Sequence, residues 1–493
     1  MENITPKLFN PPRGSWDDTA QAQAPLAKWL NPTNLQKPEW KEGAGKIILG
    51  RNEQGQNVAY GDDRHLVTIA GSRAGKTATM LIPNLRRYAG SVLVIDPKGE
   101  LAEKTSIARF NMEQDIYILD PFRVVEKGGR LRKQTDSQQL PIKDKSAYFN
   151  PLDELRLMKN EPDLLLGEAA ALADSLIISE EKQPHWGDAA RKLVQAVVLY
   201  LLTDKSQHPA TLKTVVDFFA SPAIQKEVYE AMTTIEDYDG FLQQVASTNL
   251  ARMNANSNEY ASIISTGDTQ LSPLGDMWRR ESASRRSDFL LSDLKRRPMT
   301  IYLVLPASRM GTHARWLRMV ITLALAAFER EAALDRDDEH DNQSPKYPVL
   351  FVLEEFAALG YMRPIERAAG FIASYGVKLW TVLQDLQQLK THYRDSWQTF
   401  LGNAGMVQIF GLNDGTTEEF ISQRLGTTQY EDEEPIIHRS FQSRDLIIPK
   451  TRRIGCLLEP HEVRIYFSRE TGRQIIIFPH LPPIALFRMP YDS

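Results

Sequence analysis

HLVTIAGSRAGKT, residues 65–77, joins an apolar, β-branched run to a glycine-rich loop. The run, residues 65–70, has the composition of a buried strand, and the residues from Thr77 to Arg87 are predicted to form a helix. A strand, a glycine-rich loop and a helix in this order are the setting of a P-loop, whose pattern is Gly, four residues, then Gly-Lys-Ser/Thr. Ala70 occupies the first position of that pattern, Gly71 follows it, and the remaining positions match.

The loop has the chemistry needed to hold the phosphates of a nucleotide. Main-chain N–H groups of such a loop and of the first helical turn converge on phosphate oxygens. Lys76 is expected to bridge the β- and γ-phosphates, and Thr77 to offer its hydroxyl to Mg²⁺. We therefore predict ATP and Mg²⁺ as cofactors, with nucleotide contacts from Gly71, Ser72, Arg73, Ala74, Gly75, Lys76, Thr77 and Ala78. The alternative is a chance glycine turn, which the flanking segments disfavour.

Further apolar runs predict a parallel sheet with a helical insertion. Residues 91–96 and 115–120 are strand-like, and a strand, a helix and a strand at this spacing favour right-handed crossovers. The pattern is helical from Glu154 to Leu294, and strand patterns return at 300–306, 349–353, 378–383 and 406–410. The predicted fold class is α/β with an inserted all-α domain. The predicted divisions are an N-terminal arm at 1–45, an α/β domain at 46–153 and 295–480, the all-α domain at 154–294 and a C-terminal tail at 481–493.

Two carboxylates follow one of these strands. Val349–Leu353 precedes Glu354 and Glu355, an arrangement typical of a Walker B element. Glu354 is expected to hold Mg²⁺ through water, and Glu355 to polarise the attacking water as a catalytic base. The usual first residue is Asp, and the extra methylene of Glu354 moves its carboxylate outward. The alternative is a strand that ends at a solvated acidic turn.

Other residues are candidates for a role near the nucleotide. Gln384 follows the strand at 378–383 and is a candidate catalytic sensor of the γ-phosphate, the alternative being a strand-terminal capping residue. The loop Asp96–Leu101 lies at a strand end, where ligands bind in open α/β sheets, although Pro97 and Gly99 also explain it as a turn. An arginine finger would come from a neighbouring subunit, with Arg315, Arg318 and Arg424 as candidates.

Composition excludes several classes of protein. The net charge of −4 argues against a uniformly basic nucleic-acid coat. The single cysteine excludes an intrachain disulfide. No signal peptide pattern begins the chain, and its apolar runs are shorter than the roughly 20 residues of a membrane helix, so we expect a cytoplasmic protein. Local basic runs could line a path for a nucleic-acid backbone, the alternative being solvated faces; they lie at 130–133, 279–280, 285–286 and 295–297.

An ordered series of motifs resembles the TraG/TraD-type (VirD-like) coupling proteins of conjugation and type IV secretion. Ala is common at the first P-loop position in that family. The resemblance covers about residues 46–470, and as an ordered set the motifs are specific. They are Ala70–Thr77, Leu81–Leu85, Val94–Glu100, Phe149–Pro151, Trp186 with Ala189 and Ala190, Tyr302–Pro306, Glu354–Phe356, Leu359 with Gly360, Tyr375–Val377, Gln384–Leu389 and Arg424–Gly426.

The resemblance implies a RecA-like P-loop ATPase domain with an all-α domain that reads the substrate, assembled as a homo-hexamer around a channel. It implies an ATPase that recruits or pumps DNA, which we expect to be single-stranded, or a relaxase–DNA complex toward type IV secretion channel components. The family has an N-terminal membrane anchor; we expect none in this chain, and we therefore expect partners to recruit it to the inner membrane. Two alternatives stay open: an ATP-dependent docking platform for secreted proteins with little motor activity, or a soluble DNA motor in another mobile-element or defence process.

Overall fold

The computed structural model describes residues 16–17, 26–125, 147–178, 184–278, 286–334, 346–433, 436–437, 446–447 and 450–490. Several predicted features lie outside these residues: the start of the N-terminal arm, the basic runs 130–133 and 279–280, and Arg285. The chain divides into two compact units. The first is formed by Met1–Ala89 with Lys378–Ser493, and the second by Gly90–Val377.

Within the described residues the strands are short and follow one another along the chain in two groups separated by helices. They are β1 (Trp16–Asp17), β2 (Trp29–Leu30), β3 (Ile47–Arg51), β4 (Asn57–Tyr60), β5 (His65–Ala70), β6 (Val92–Asp96), β7 (Asp115–Leu119), β8 (Met299–Val304), β9 (Val349–Leu353), β10 (Val377–Leu383), β11 (Ala404–Phe410), β12 (Thr427–Glu433), β13 (Ile436–Ile437), β14 (Leu446–Ile447), β15 (Lys450–Cys456), β16 (Arg473–Ile477) and β17 (Ile484–Phe487).

The α-helices vary from a single turn to 28 residues. They are α1 (Ile82–Leu85), α2 (Glu100–Phe110), α3 (Pro151–Arg156), α4 (Pro162–Leu176), α5 (Pro184–Leu202), α6 (Leu212–Ala220), α7 (Pro222–Met232), α8 (Phe241–Asn254), α9 (Asn258–Trp278), α10 (Asp293–Arg296), α11 (Ala307–Leu334), α12 (Arg363–Phe371), α13 (Leu386–Tyr393), α14 (Trp397–Gly402), α15 (Gly415–Leu425) and α16 (Pro460–Tyr466).

The first unit contains a sheet with the strand order β4-β3-β17-β16-β11-β5-β10. β10, β5 and β11 are parallel, whereas the other pairs in this order are antiparallel. All six residues of β5 are buried, which accounts for its largely apolar sequence. The register places Leu383 opposite Ile69 and Phe410 opposite Ala70. Three strand ends therefore meet beside the glycine-rich loop that follows β5.

A chain of buried side-chain hydrogen bonds crosses this sheet. Trp380 Nε1 donates to Thr68 Oγ1 at 2.9 Å, and Thr68 Oγ1 donates to Gln408 Oε1 at 3.1 Å. Gln408 Nε2 donates to Gln474 Oε1, and Gln474 Nε2 donates to the Leu49 carbonyl, both at 2.5 Å. A buried polar group left without a partner costs about 1–3 kcal/mol, so these bonds favour one register for the five strands that carry them.

Two buried tryptophans pack the described part of the predicted N-terminal arm against the rest of the first unit. Trp29 is fully buried and stacks on Phe467, with ring centroids 6.1 Å apart. The Trp40 ring centroid lies 5.4 Å from that of Tyr60 and 5.7 Å from that of Phe478. Short 3₁₀ turns carry this part of the chain, which explains why its sequence shows neither helix nor strand periodicity. The predicted C-terminal tail likewise contributes β17, which pairs with β16 and β3.

The second unit contains the parallel strands β9-β6-β8-β7 in that order. Every residue of β9 is fully buried, and its bounds coincide with the strand predicted from the sequence. The register places Leu353 opposite Ile95 and Val304 opposite Asp96. The carboxyl ends of β9, β6 and β8 are therefore aligned at one edge of this group of strands.

Helices α3–α9 lie between β7 and β8 in the chain, in the segment where the sequence predicted a helical insertion. α4 packs against α5 and α11, and α6 packs against α9. A Cβ atom on Gly267 of α9 would lie 2.1 Å from Phe219 Cε1, so the close approach of α6 and α9 requires glycine there. The helices of the described residues include none that combines the length and apolarity needed to cross a membrane.

Candidate functional site

The glycine-rich loop after β5 has the backbone geometry of an anion-binding nest. Arg73 and Gly75 adopt left-handed conformations, with φ of 56° and 91°. The Ala74 N–H donates to the Gly71 carbonyl at 3.2 Å, and the Thr79 N–H donates to the Gly75 carbonyl at 2.9 Å. Left-handed residues that alternate with right-handed ones turn successive N–H groups toward one side, where they attract anions.

Lys76 and Thr77 stand where the loop meets the following helix. The Lys76 side chain is largely buried, and its Nζ donates to the Ala70 carbonyl at 3.0 Å. This bond holds the ammonium group over the end of β5. Ser72 is exposed, whereas Ala78 is buried. The residues predicted to contact a nucleotide thus form one continuous loop and helix start.

The helix that follows the loop begins with an irregular turn. Thr77–Leu81 is a π-helical turn, in which the Ile82 N–H donates to the Thr77 carbonyl. Pro83 has no N–H group, so it cannot donate to the carbonyl of Thr79 as an α-helix requires. The missing donor accounts for the wider turn, a feature that is frequent at functional sites.

Asn84 ties this irregular helix to β3. Its side chain is buried, and its Nδ2 donates to the Met80 carbonyl at 3.0 Å and to the Ile48 carbonyl at 2.9 Å. The Ile48 N–H donates to Asn84 Oδ1 at 2.7 Å. The amide therefore pairs with β3 as a neighbouring strand would, and it fixes the helix that carries Thr77.

Gln384 is the first residue after β10, which runs beside β5. Because Leu383 is opposite Ile69, Gln384 lies next to Ala70 at the end of β5. The Gln384 N–H donates to Gln388 Oε1 at 3.0 Å. The structure thus brings Gln384 to the same strand edge as the glycine-rich loop.

Two glycines allow the loop to pack on the end of β11. Gly411 has a φ of 60°, and a Cβ atom on it would lie 2.6 Å from Ala74 Cβ. A Cβ atom on Gly71 would lie 2.1 Å from the Gly411 carbonyl oxygen. Any larger residue at either position would push the loop away from the sheet.

Arg488, the residue after β17, also contacts the loop. Its guanidinium donates to the carbonyls of Ala74 and Arg469. Arg488 could not be predicted from the sequence, because it stands alone in the expected C-terminal tail without a surrounding motif. Only the pairing of β17 with β16 and β3 brings it back to the loop.

The predicted acidic residues belong to the second unit. Glu354 follows β9 and is largely buried. The register of β9 and β6 places it beside Asp96, whose carboxylate accepts from the N–H groups of Ala102 at 2.8 Å and Lys98 at 3.3 Å. Burial raises the pKa of Asp96 to about 7. The Asp96 side chain therefore accepts hydrogen bonds from the start of α2. Glu354 is the neighbouring acidic side chain at this strand edge.

Glu355 lies in a left-handed conformation, with a φ of 55°. A 3₁₀ turn, Phe356–Leu359, follows it. Arg318 of α11 fastens the end of this turn, because its Nη1 donates to the carbonyls of Leu359 at 2.8 Å and Tyr361 at 2.6 Å. A non-glycine residue at positive φ is uncommon and costs about 1–3 kcal/mol. The backbone here is thus held in an unfavourable conformation directly after the Glu354 strand end.

The three candidate arginine fingers differ in their surroundings. Arg318 is occupied by main-chain carbonyls. Arg424 is exposed as a whole residue, but its Nη2 donates to the Leu401 carbonyl at 3.5 Å, and partial burial of the guanidinium lowers its pKa. Arg315 is half-buried, burial lowers its pKa, and its Nε lacks a hydrogen-bond partner among the residues that the structure describes.

The basic side chains of the run at 295–297 are paired with acidic residues or buried within the protein. Arg296 pairs with Glu331 at 2.8 Å, and Arg297 pairs with Asp293 at 2.9 Å. Lys295 is largely buried. This run therefore presents little unpaired charge to a nucleic-acid backbone.

The donor set of the predicted magnesium site is small. Within the described ranges no group of three or more His, Cys, Asp and Glu side chains could hold a metal ion. Mg²⁺ in nucleotide sites keeps several waters and uses one or two protein ligands together with substrate phosphates. A single hydroxyl or carboxylate is therefore a sufficient protein contribution, and the Thr77 hydroxyl in the first unit and the Glu354 carboxylate in the second are each ligands of that kind.

The sequence matches the family described as type IV secretory system conjugative DNA transfer over residues 18–130 and 140–491. The chain belongs to this family. Among its relatives, the protein VirD4 of Rhizobium radiobacter is 26% identical over 443 residues, covering 89% of this chain and 58% of the relative. A conjugal transfer protein TraG of Escherichia coli is 26% identical over 400 residues, covering 79% and 58%. The chain thus spans about three fifths of the length of these relatives.

Solved structures show that this chain shares a known fold. The unbound bacterial conjugative coupling protein TrwBdeltaN70 has a TM-score of 0.64 at 14% identity, covering 97% of both chains. The plasmid coupling protein TrwB in complex with ADP and Mg²⁺ has a TM-score of 0.62 at 14% identity, covering 96% of this chain and 98% of that chain. The fold is that of a RecA-like P-loop ATPase domain with an all-α domain, which confirms the predicted fold class.

Proposed function

We propose that this chain is an ATP-hydrolysing coupling protein that recruits or pumps DNA, or a relaxase–DNA complex, toward a type IV secretion channel. The observation that carries the proposal is the anion-binding nest after β5, with Lys76 and Thr77 at its end. The match to the conjugative DNA transfer family along most of the chain supports it. The name of the solved relative, a conjugative coupling protein, supports the same activity.

In this proposal ATP lies with its phosphates in the nest formed by residues 71–78. Lys76 exchanges its bond to the Ala70 carbonyl for oxygens of the β- and γ-phosphates. Gln384 contacts the γ-phosphate, and its loss of that contact reports hydrolysis. Glu355 takes a proton from the attacking water while the water oxygen bonds to the γ-phosphorus and the bond to ADP breaks.

Thr77 and Glu354 are the residues that would hold Mg²⁺, which neutralises charge on the phosphates when bound. Thr77 is the first residue of the π-helical turn, and Asn84 fixes that turn against β3. The complex of TrwB with ADP and Mg²⁺ supports this assignment of cofactors.

We further propose that the chain forms a homo-hexamer, in which an all-α domain at 154–294 reads the substrate. The α/β domain comprises 46–153 and 295–480 in this arrangement. The substrate is single-stranded DNA or a relaxase–DNA complex, and type IV secretion channel components receive it. The names of the VirD4 and TraG relatives support these partners.

A steady-state ATPase assay with and without single- and double-stranded DNA tests the proposal. We expect turnover that DNA stimulates and that Lys76→Ala abolishes. Lys28→Ala is the matched control, because Lys28 is an exposed lysine of the same unit. A purified chain that neither binds nor hydrolyses ATP in the presence of DNA contradicts the proposal.

An ATP-dependent docking platform for secreted proteins is the second candidate function. Glu354 in place of the usual Asp favours it, since a longer side chain alters the metal geometry on which turnover depends. Glu355→Gln separates the two candidates in a DNA transfer assay. A motor loses transfer while it still binds ATP, whereas a platform keeps both. A soluble DNA motor of another mobile-element or defence process would show DNA-stimulated turnover without a need for relaxase or channel genes.

A further inference from the structure

An arginine from the far end of the chain meets the glycine-rich loop of the first unit. Arg488 follows β17, and its N–H donates to the Gly472 carbonyl at 2.7 Å, which fixes its backbone. Its guanidinium lies over the Phe410 ring at 5.0 Å. From there it donates to the carbonyls of Ala74 and Arg469. Arg488 therefore joins the loop to the last strands of the sheet.

The charge of Arg488 is not paired with a carboxylate in the described part of the chain. Among the described residues, no Asp or Glu lies within ion-pair distance of the guanidinium, and its buried Nε has no hydrogen-bond partner. Burial lowers its pKa, Glu470 raises that pKa from a greater distance, and Arg469 lowers it further. An arginine stays protonated under such shifts because its pKa begins above 12. A positive charge is thus held partly out of water beside the loop.

The guanidinium of Arg488 lies against the part of the glycine-rich loop that contains Gly75. A Cβ atom on Gly75 would lie 3.6 Å from Arg488 Nη1, so the charge touches the apex of the nest. Phosphate binding needs the loop N–H groups to face the anion and the loop carbonyls to face away from it. Arg488 takes up the Ala74 carbonyl, the acceptor that would otherwise be free to turn toward a phosphate.

We propose that Arg488 is a positioning residue for nucleotide phosphates, acting within its own chain and resting on the proposed function as a P-loop ATPase. It holds the Ala74 carbonyl away from the phosphates, and its charge raises the affinity of the nest for a polyphosphate. The effect grows with the number of phosphates on the ligand, because the charge acts on the phosphates and not on the base. Packing on Phe410 alone would not produce that dependence.

Fluorescent analogues of ATP and AMP, titrated into the full chain, test this proposal. Arg488→Gln keeps a donor but removes the charge, and we expect it to raise the Kd for ATP about tenfold, in line with a charge-assisted hydrogen bond. The Kd for AMP should change by about twofold or less. Arg488→Lys keeps the charge, so its effect on the Kd for ATP should be smaller. Arg473→Gln is the matched control, since Arg473 also stacks on a phenylalanine, at 5.8 Å from the Phe487 ring.

The outcomes separate this proposal from the proposed function. A wild-type chain that does not bind the ATP analogue contradicts the proposed function itself. Wild-type binding together with an unchanged ATP affinity in Arg488→Gln overturns the role of Arg488, as does an equal loss for ATP and AMP. If thermal melting shows that Arg488→Gln does not fold, Arg488→Met decides, because methionine removes the charge and keeps an apolar side chain on the Phe410 ring. An unchanged ratio of ATP to AMP affinity in that variant overturns the proposal, and a ratio lowered about threefold supports it.

Discussion

Replacing Asn84 with alanine should destabilise the first unit strongly. The change removes three buried hydrogen bonds and leaves the N–H and carbonyl of Ile48 and the carbonyl of Met80 without their partner. Each unsatisfied buried main-chain group costs about 1–3 kcal/mol, so we expect a loss of about 3 kcal/mol or more in the free energy of unfolding. The π-helical turn that holds Thr77 depends on the same amide, so nucleotide binding should weaken as well.

Urea denaturation followed by tryptophan fluorescence measures this loss, because Trp29, Trp40 and Trp380 are buried in the first unit. Hydrogen exchange should also accelerate in β3 and α1, the two elements that Asn84 joins. Asn403→Ala is the control, since Asn403 is exposed and only ends α14; a surface change of this kind stays within about 0.5 kcal/mol. An Asn84→Ala variant within 1 kcal/mol of that control, by the same scale, would refute the reasoning.

Three other changes have expected outcomes. Gly411→Ala combines a left-handed residue with a contact of 2.6 Å to Ala74 Cβ, so the Kd for ATP should rise about tenfold or more; Gly415→Ala, with open space around it, should bind ATP normally. Burial lowers the pKa of Lys378 to about 8. The unfolded chain therefore binds more protons from pH about 8 to about 10, and urea midpoints should rise across that window in the wild type but not in Lys378→Met. Arg318→Ala frees two main-chain carbonyls, and calorimetry should show the second unit destabilised by about 2 kcal/mol while the first unit is unchanged.

Local sequence patterns were sufficient to predict a strand where that strand is buried on both of its faces. β5 and β9 were predicted with their observed bounds, because each is a short apolar run that ends abruptly at a glycine or at carboxylates. The loop between β5 and α1 was predicted for the same reason, since its residues are consecutive. The family comparison and the structural likeness confirmed the fold class that these patterns indicated.

Contacts between distant parts of the chain could not be predicted. Trp29 and Trp40 are buried by aromatic partners from the end of the sequence and from β4. Arg488 reaches the loop only through the antiparallel pairing of β17. In the helical segment, the separate bounds of α7 and α8 were not predicted, because polar residues interrupt their apolar faces. The roles of Glu354, Glu355 and Gln384 stay predictions until the variants are measured.

The hydrogen-bond chain from Trp380 to the Leu49 carbonyl has a consequence for how this protein can evolve. An indole N–H can only donate and a carbonyl can only accept, so the two ends give every bond between them one direction. A mutation of any inner member, such as Gln408, strands a donor on one side and an acceptor on the other. Single substitutions at these positions are therefore destabilising and are not neutral. Lineages that leave this arrangement must replace several members together, and Thr68, Gln408 and Gln474 should co-vary among relatives.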